Sequence, residues 1–223
     1  MLTLDPSVER AYAYGTQHFD AARADDYDIK RAERLFRRVL NSDPAYPFVQ
    51  HQMARIAFLR GDFATALLRI DAEIETHPNR SSHYMRGLIL GFMGRYDEAA
   101  DDYEAFLRED PTNWAAINDY AWVLLMSERY REALLAADWG LMFWPNNPWL
   151  LNSKATAHFE LEQLSLADEA VHGAEGALAN VSDADWLQAY PGNDPLVASE
   201  GIRALQDAVQ DNMHTIALAR EKE

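Results

Sequence analysis

The sequence contains no cysteine. This chain therefore has no disulfide, no thiol nucleophile and no cysteine-ligated metal. That absence fits a reducing or an oxidising compartment equally. No apolar run approaches the ~18 residues that cross a bilayer as a helix, so no membrane span is expected. The N-terminal stretch "MLTLDPSVER" lacks the basic start and apolar segment of a signal peptide. A soluble, cytoplasmic protein is the expectation, and a periplasmic one the alternative if a leader has been removed.

Positive charge is scarce and confined to one end. The 223 residues hold 20 Lys+Arg against 36 Asp+Glu, for a net charge of −16. Residues 1–60 carry nine basic and eight acidic side chains, and the remaining 163 carry 11 and 28. Such a field repels phosphate backbones, so no nucleic-acid partner is expected. It suits a basic partner, or an acidic surface that is simply solvated.

Motifs that carry chemistry are also missing. There is no phosphate loop, dinucleotide fingerprint, His-Glu-X-X-His, EF-hand spacing or Gly-X-Ser-X-Gly elbow. The seven histidines (His18, His51, His77, His83, His158, His172 and His214) are scattered, and none pairs at i,i+4. No catalytic residue, metal ligand or cofactor is assigned, and the chain is read as no enzyme. The carboxylates Asp101, Asp102 and Glu104 sit on a helix whose outer face is solvated. "KRAERLFRR", with Lys30, Arg31, Arg34, Arg37 and Arg38, has two readings. It is a solvated helix face, or it docks an acidic partner or the acidic body of another copy.

What the sequence does have is a repeat. Pro44, Pro78, Pro111 and Pro145 stand 34, 33 and 34 residues apart. Twelve residues before each lies an alanine: Ala32, Ala66, Ala99 and Ala133. Three before each alanine is a large apolar residue (Ile29, Phe63, Tyr96, Tyr130), and four after it come Phe36, Ile70, Tyr103 and Ala137. A fainter fifth copy has Leu164, Ala167 and Val171, with Ala179 in place of the proline. In "PFVQHQMARIAFLRGDFATALLRIDAEIETHP" apolar residues recur at helical spacing on both sides of Gly61. Gly61-Asp62 and Gly94-Arg95 are turn signals, and each proline ends a second helix or opens the next connection. The alanine marks a close helix crossing, where a larger side chain would push the helices apart.

Through these residues the chain resembles the tetratricopeptide repeat family. The carrying stretches are "MA…GDFATA…P" (Met53 to Pro78), "RG…GRYDEAADDY…DP" (Arg86 to Pro111) and "YA…ERYREA…P" (Tyr120 to Pro145). The resemblance covers roughly residues 11–179. It implies an all-α, right-handed superhelical solenoid of helix–turn–helix units with a C-terminal capping helix. Five helix pairs are expected at 8–44, 45–78, 79–111, 112–145 and 146–179, followed by a loop and capping helix at 180–223. The first unit carries extra residues before its second helix, which leaves its first-helix register open. The third is one residue short, and Gly140 stands where the family usually has alanine. After Ala179, "VSDADWLQAYPGNDP" reads as a short helical turn capped by Ser182 and then a loop. A last helix is expected from Asp194-Pro195, with an apolar stripe at Ile202, Leu205, Val209, Met213 and Ile216.

The resemblance also implies which residues line the concave face. These are Phe48, His51, Gln52, Arg55, Phe58 and Leu59, then Tyr84, Met85, Leu88 and Phe92. Asn118, Asp119, Trp122, Leu125 and Met126 follow, and then Trp149, Asn152, Ser153, Thr156 and Phe159. The lining is apolar and aromatic, so the expected partner is a protein or peptide, apolar or amphipathic, with basic residues to meet Asp119 and Glu160. Asn118 and Asn152 are candidates to bond its backbone. Family members that bind chaperone C-terminal carboxylates use basic groove residues. Only His51 and Arg55 match here, and Asp119 opposes a carboxylate. Two functions remain in competition: an adaptor that holds a partner segment in this groove, or a self-assembling subunit that buries the aromatic surface in a homo-oligomer. Self-filling of the groove by residues 195–219 is a further reading.

"LMFWPNNPWLL" (Leu141 to Leu151) combines both themes. Pro145 is the repeat's punctuation, and Asn147-Pro148 reads as cap and first helical residue. Trp139 and Trp144 replace residues that are usually polar, which marks them as a second candidate interface.

Overall fold

The computed structural model describes residues 6–20, 23–182 and 198–222. Among these the chain is helical throughout: α1 Pro6–Gln17, α2 Ile29–Ser42, α3 Val49–Leu59, α4 Phe63–Thr76, α5 Arg80–Phe92 and α6 Tyr96–Glu109. These are followed by α7 Trp114–Met126, α8 Tyr130–Phe143, α9 Pro148–Glu160, α10 Leu164–Leu178 and α11 Ala198–Arg220. A single 3-10 turn, Ala24–Asp26, interrupts the connection between α1 and α2.

The helices begin where side chains can satisfy orphan backbone N–H groups. Asp28, Asp62, Asn79, Asn113 and Asn147 each accept a bond from the N–H three residues on. Pro148 follows Asn147 at the first helical position, as its fixed φ favours. Three-residue turns join α3 to α4, α5 to α6, α7 to α8 and α9 to α10. Each turn holds one left-handed residue: Gly61 (φ 72°), Gly94 (φ 74°), Glu128 (φ 61°) and Glu162 (φ 59°). Two units thus carry a glutamate where the others carry glycine, at a steric cost of about 1–2 kcal/mol each.

The helices pack as consecutive antiparallel pairs, α1 with α2 through α9 with α10. First helices touch first helices from unit to unit (α3–α5, α5–α7, α7–α9) and form the inner layer, with the second helices outside. Ala32, Ala66, Ala99, Ala133 and Ala167 are all fully buried, as a close crossing demands. The architecture is the all-α solenoid of paired helices expected from the repeat. Gly140 follows from the same closeness. A Cβ there would meet Leu150 Cδ1 at 2.7 Å and Ile117 Cγ2 at 3.0 Å, both on buried side chains.

The open register of the first unit is resolved by its connection. Residues 18–20 and 23–28 lie against each other, with the Asp28 N–H bonding the His18 carbonyl at 2.9 Å and His18 Nδ1 lying 2.8 Å from the Asp26 carbonyl. Phe19 is thereby buried against Phe36.

α11 packs on α10 and α9. Its stripe of Ile202, Leu205, Val209 and Ile216 is buried, and Met213 joins the same core with Trp149, Ala170 and Val171. The turn expected after Ser182 and the helix start expected at Asp194-Pro195 lie outside the described residues.

Candidate protein-binding surfaces

The inner face divides into three stretches along the stack. At its N-terminal end Phe19, from the connection after α1, covers the groove. The Arg55 guanidinium lies 4.4 Å over the Phe19 ring, and its Nη1 donates to Gln52 Oε1 at 2.7 Å. Burial lowers its pKa to about 10, which still leaves it charged at neutral pH. His51 is buried, with Nδ1 3.0 Å from Ser82 Oγ. Burial, aided by the Arg55 charge, pushes its pKa down to about 3, so it is neutral. Phe48, half-exposed, precedes α3 in a left-handed conformation (φ 63°) and offers no side-chain cap. Glu73 replaces that cap from the neighbouring helix. Its buried carboxylate accepts from Phe48 N–H at 2.7 Å and from His51 N–H at 3.3 Å.

The middle stretch is an aromatic row. Phe58 meets Phe92 edge-on at 5.1 Å, and Phe92 meets Trp122 at 6.1 Å. Phe63 and Tyr96, on second helices, extend the row at both ends. Phe92 is 56% exposed and Met126 47%. Helical spacing along α3, α5 and α7 brings Phe58, Phe92 and Trp122 together. The contributions of Phe63 and Tyr96 were signalled only by their large apolar place before each repeat alanine. Leu88 and Leu125 are partly buried beside the row.

The third stretch is polar and internally paired. Tyr84 donates to Asp119 Oδ2 at 2.7 Å, and Ser153 donates to Asn118 Oδ1 at 3.1 Å. Asn212 of α11 donates to Asn152 Oδ1 at 2.9 Å and to Thr156 Oγ1 at 3.1 Å. These polar groove residues tie one unit to the next and the last unit to α11. Trp149 is buried against Trp114, with ring centroids 4.9 Å apart, and Phe159 joins the core under α11.

The outer face carries a different surface. On α8, Leu135, Trp139, Met142 and Phe143 follow the i, i+4, i+7, i+8 spacing of one helix side. They are 69%, 49%, 78% and 47% exposed, and Trp144 beside them is 46% exposed. The two indole N–H groups are already satisfied: Trp139 Nε1 donates to the Pro111 carbonyl at 2.8 Å and Trp144 Nε1 to that of Thr112 at 2.9 Å. Both tryptophans thus clamp the α6–α7 connection and leave apolar ring faces outward. Between α6 and α8 runs a cleft of about 530 Å³, walled by Leu107, Ile117, Leu135 and Trp139 and edged by Glu104 and Glu132. Tyr120, on its floor, donates to Glu104 Oε1 at 2.8 Å, and burial raises its pKa. Leu135 and Met142 were not singled out from the sequence, although their spacing from Trp139 was the available signal.

Among the described residues no group of three or more His, Asp or Glu is placed to hold a metal ion, and no helix is long and apolar enough to cross a membrane.

Comparison with known proteins supplies the fold's relatives. Residues 93–138 match the tetratricopeptide repeat family model. The fold is that of a tetratricopeptide-like solenoid. A solved structure of a MamA RS-1 double mutant superposes with a TM-score of 0.70 at 14% identity, covering 78% of this chain and 96% of its own. MamA itself gives a TM-score of 0.64 at 16% identity, with coverage of 78% and 91%. MamA from its residue 41 to the end, from Desulfovibrio magneticus RS-1, gives 0.56 at 18% identity, with coverage of 81% and 98%. At such identities the likeness speaks to architecture alone. No curated protein sequence matches significantly.

Proposed function

We propose that this chain is a structural subunit that assembles with copies of itself through an aromatic surface. One observation carries the reading. The end of α8 exposes Leu135, Trp139, Met142, Phe143 and Trp144 together, and the indole N–H groups among them are already bonded within the subunit. What faces outward is apolar surface with no polar demand of its own, the kind of patch that marks a protein interface. The concave positions support this choice from the other side. His51 and Trp149 are buried, and Asn118 and Asn152 are engaged within the stack.

An adaptor reading rests on the middle of the groove, where Phe58, Phe92 and Trp122 form a continuous and partly exposed aromatic row. It fits an apolar or amphipathic segment bearing basic residues.

Size-exclusion chromatography with light scattering, over a wide concentration range, separates the two. The assembly reading expects concentration-dependent oligomers that Leu135→Ser/Met142→Ser converts to monomers with unchanged helicity. A parent protein that stays monomeric throughout sinks it. Loss of partner capture by Phe92→Ala/Trp122→Ala in that monomer then supports the adaptor.

A further inference from the structure

The first sixty residues hold almost half of the chain's basic side chains, and the structure shows where they point. α2 carries five basic residues and one acidic, Glu33. Its inward side chains, Ala32, Phe36 and Val39, are fully buried, which turns Lys30, Arg34 and Arg38 outward at i, i+4, i+8. These three, and Arg31, make no ion pair with another described residue. Two units further on, α6 is the electrostatic opposite. It carries six carboxylates and one basic residue, Arg108. Asp97, Asp101 and Glu104 follow i, i+4, i+7 along its outer side; Asp97 pairs with Arg129 at 3.5 Å and Glu104 with Arg108 at 3.7 Å, while Asp101 is exposed and makes no ion pair with another described residue.

The α2 face thus keeps an excess of positive charge and α6 an excess of negative charge. Both lie on outer helices of one stack, two units apart, and α2 and α6 are not among the helix pairs that pack together. Two copies related by a two-fold axis at either face would set like charge against like, which costs association energy.

We infer that the two faces belong to one interface, in which the basic α2 face of one copy lies along the acidic α6 face of the next. This deepens the self-assembly reading above and rests on it. The cleft between α6 and α8 completes the fit. An α2 laid along α6 covers that cleft, where Trp139 and Tyr120 present ring surface beside Glu104 and Glu132. Guanidinium groups suit such a site, since they stack on aromatic faces while pairing with carboxylates. The exposed apolar side of α8 is then covered in the same contact. A two-fold axis midway between the faces would use both pairs in one closed dimer, whereas a head-to-tail contact is heterologous. It leaves an unused α2 at one end and an unused α6 at the other, so growth continues into a ring or an open filament.

Charge reversal on exposed side chains tests this on the full chain. Arg34→Glu/Arg38→Glu, and separately Asp97→Lys/Asp101→Lys, should each weaken self-association by at least about tenfold, with circular dichroism unchanged. Mixing the two variants should restore association, since each then offers the face that the other's partner needs. Raising salt should weaken assembly of the parent, opposite to the behaviour of a purely apolar contact. This salt titration reads the interface even where a variant fails to fold. A parent that never associates removes the assembly reading and this inference together. A parent that associates, with both variants associating as tightly, removes this inference alone. So does a mixture that fails to recover.

Discussion

His51 illustrates what a groove position becomes when the next unit closes over it. Helical spacing places it on the inner side of α3 one turn before Arg55, but says nothing of how near Ser82 of α5 will lie. The consequence is testable through acid stability. The folded pKa of about 3 lies below the unfolded value near 6.5, so the group's contribution is complete above about pH 6.5 and is lost as pH falls toward 3. The slope from this residue is at most about 1.4 kcal/mol per pH unit. His51→Asn keeps a polar group beside Ser82 without the titration. Urea denaturation of both proteins from about pH 7 to about pH 4 should show the parent's advantage shrinking as pH falls. A difference independent of pH would mean that His51 takes up its proton as readily in the folded protein as in the unfolded one. The repeat alanines were legible at this scale because the family's close crossing leaves no other choice. Gly140 was visible as a departure, but its cause, the Leu150 and Ile117 side chains, appears only in three dimensions.

α3 is the element whose start the sequence hides. Every other first helix from α5 to α9 opens after an asparagine that caps it, whereas α3 opens after Phe48. The missing acceptor comes from Glu73, 25 residues away on α4, at a place where other units carry Val39, Phe106, Gly140 or Ala174. A lone glutamate among apolar repeat positions is the trace it leaves in sequence. Glu73→Ala removes the acceptor from two backbone donors and opens a buried space, so a loss of about 2–4 kcal/mol is expected in thermal or urea denaturation. Glu73→Gln, which can still accept one bond, should lose less. Equal losses would show that the carboxylate is not capping α3. α8 and α11 show the other side of legibility. The apolar stripe of α11 was readable from spacing, and it is buried as one side of a terminal helix. The clamps from Trp139 and Trp144 were not readable, because their acceptors lie 28 and 32 residues earlier on loop carbonyls. Surplus aromatic residues at usually polar places were visible, while their attachment was not.

At the scale of the molecule, the 34-residue period makes each unit depend on its neighbours alone. Such a stack is stable in proportion to how well successive units grip each other. The weakest grip between successive helices is that of α2 on α3, while α9 and α10 hold most firmly and gain α11 besides. The N-terminal unit is therefore expected to loosen first on heating. The polarity of charge follows the same axis, near neutral at the loosely held end and acidic beyond it.

The tryptophans turn this gradient into an optical signal. All six lie between positions 114 and 186, and none precedes α7. The five described ones lie from α7 to α9 and reach back no further than α5, where Trp122 meets Phe92, so their emission senses the middle and later units, while far-ultraviolet circular dichroism senses every helix alike. On heating, ellipticity should start to fall at a lower temperature than the emission maximum starts to shift. Coincident curves would instead show that the stack melts as one body. The aromatic joint around "LMFWPNNPWLL" is thus also a spectroscopic gauge, reading which end of the stack is coming apart.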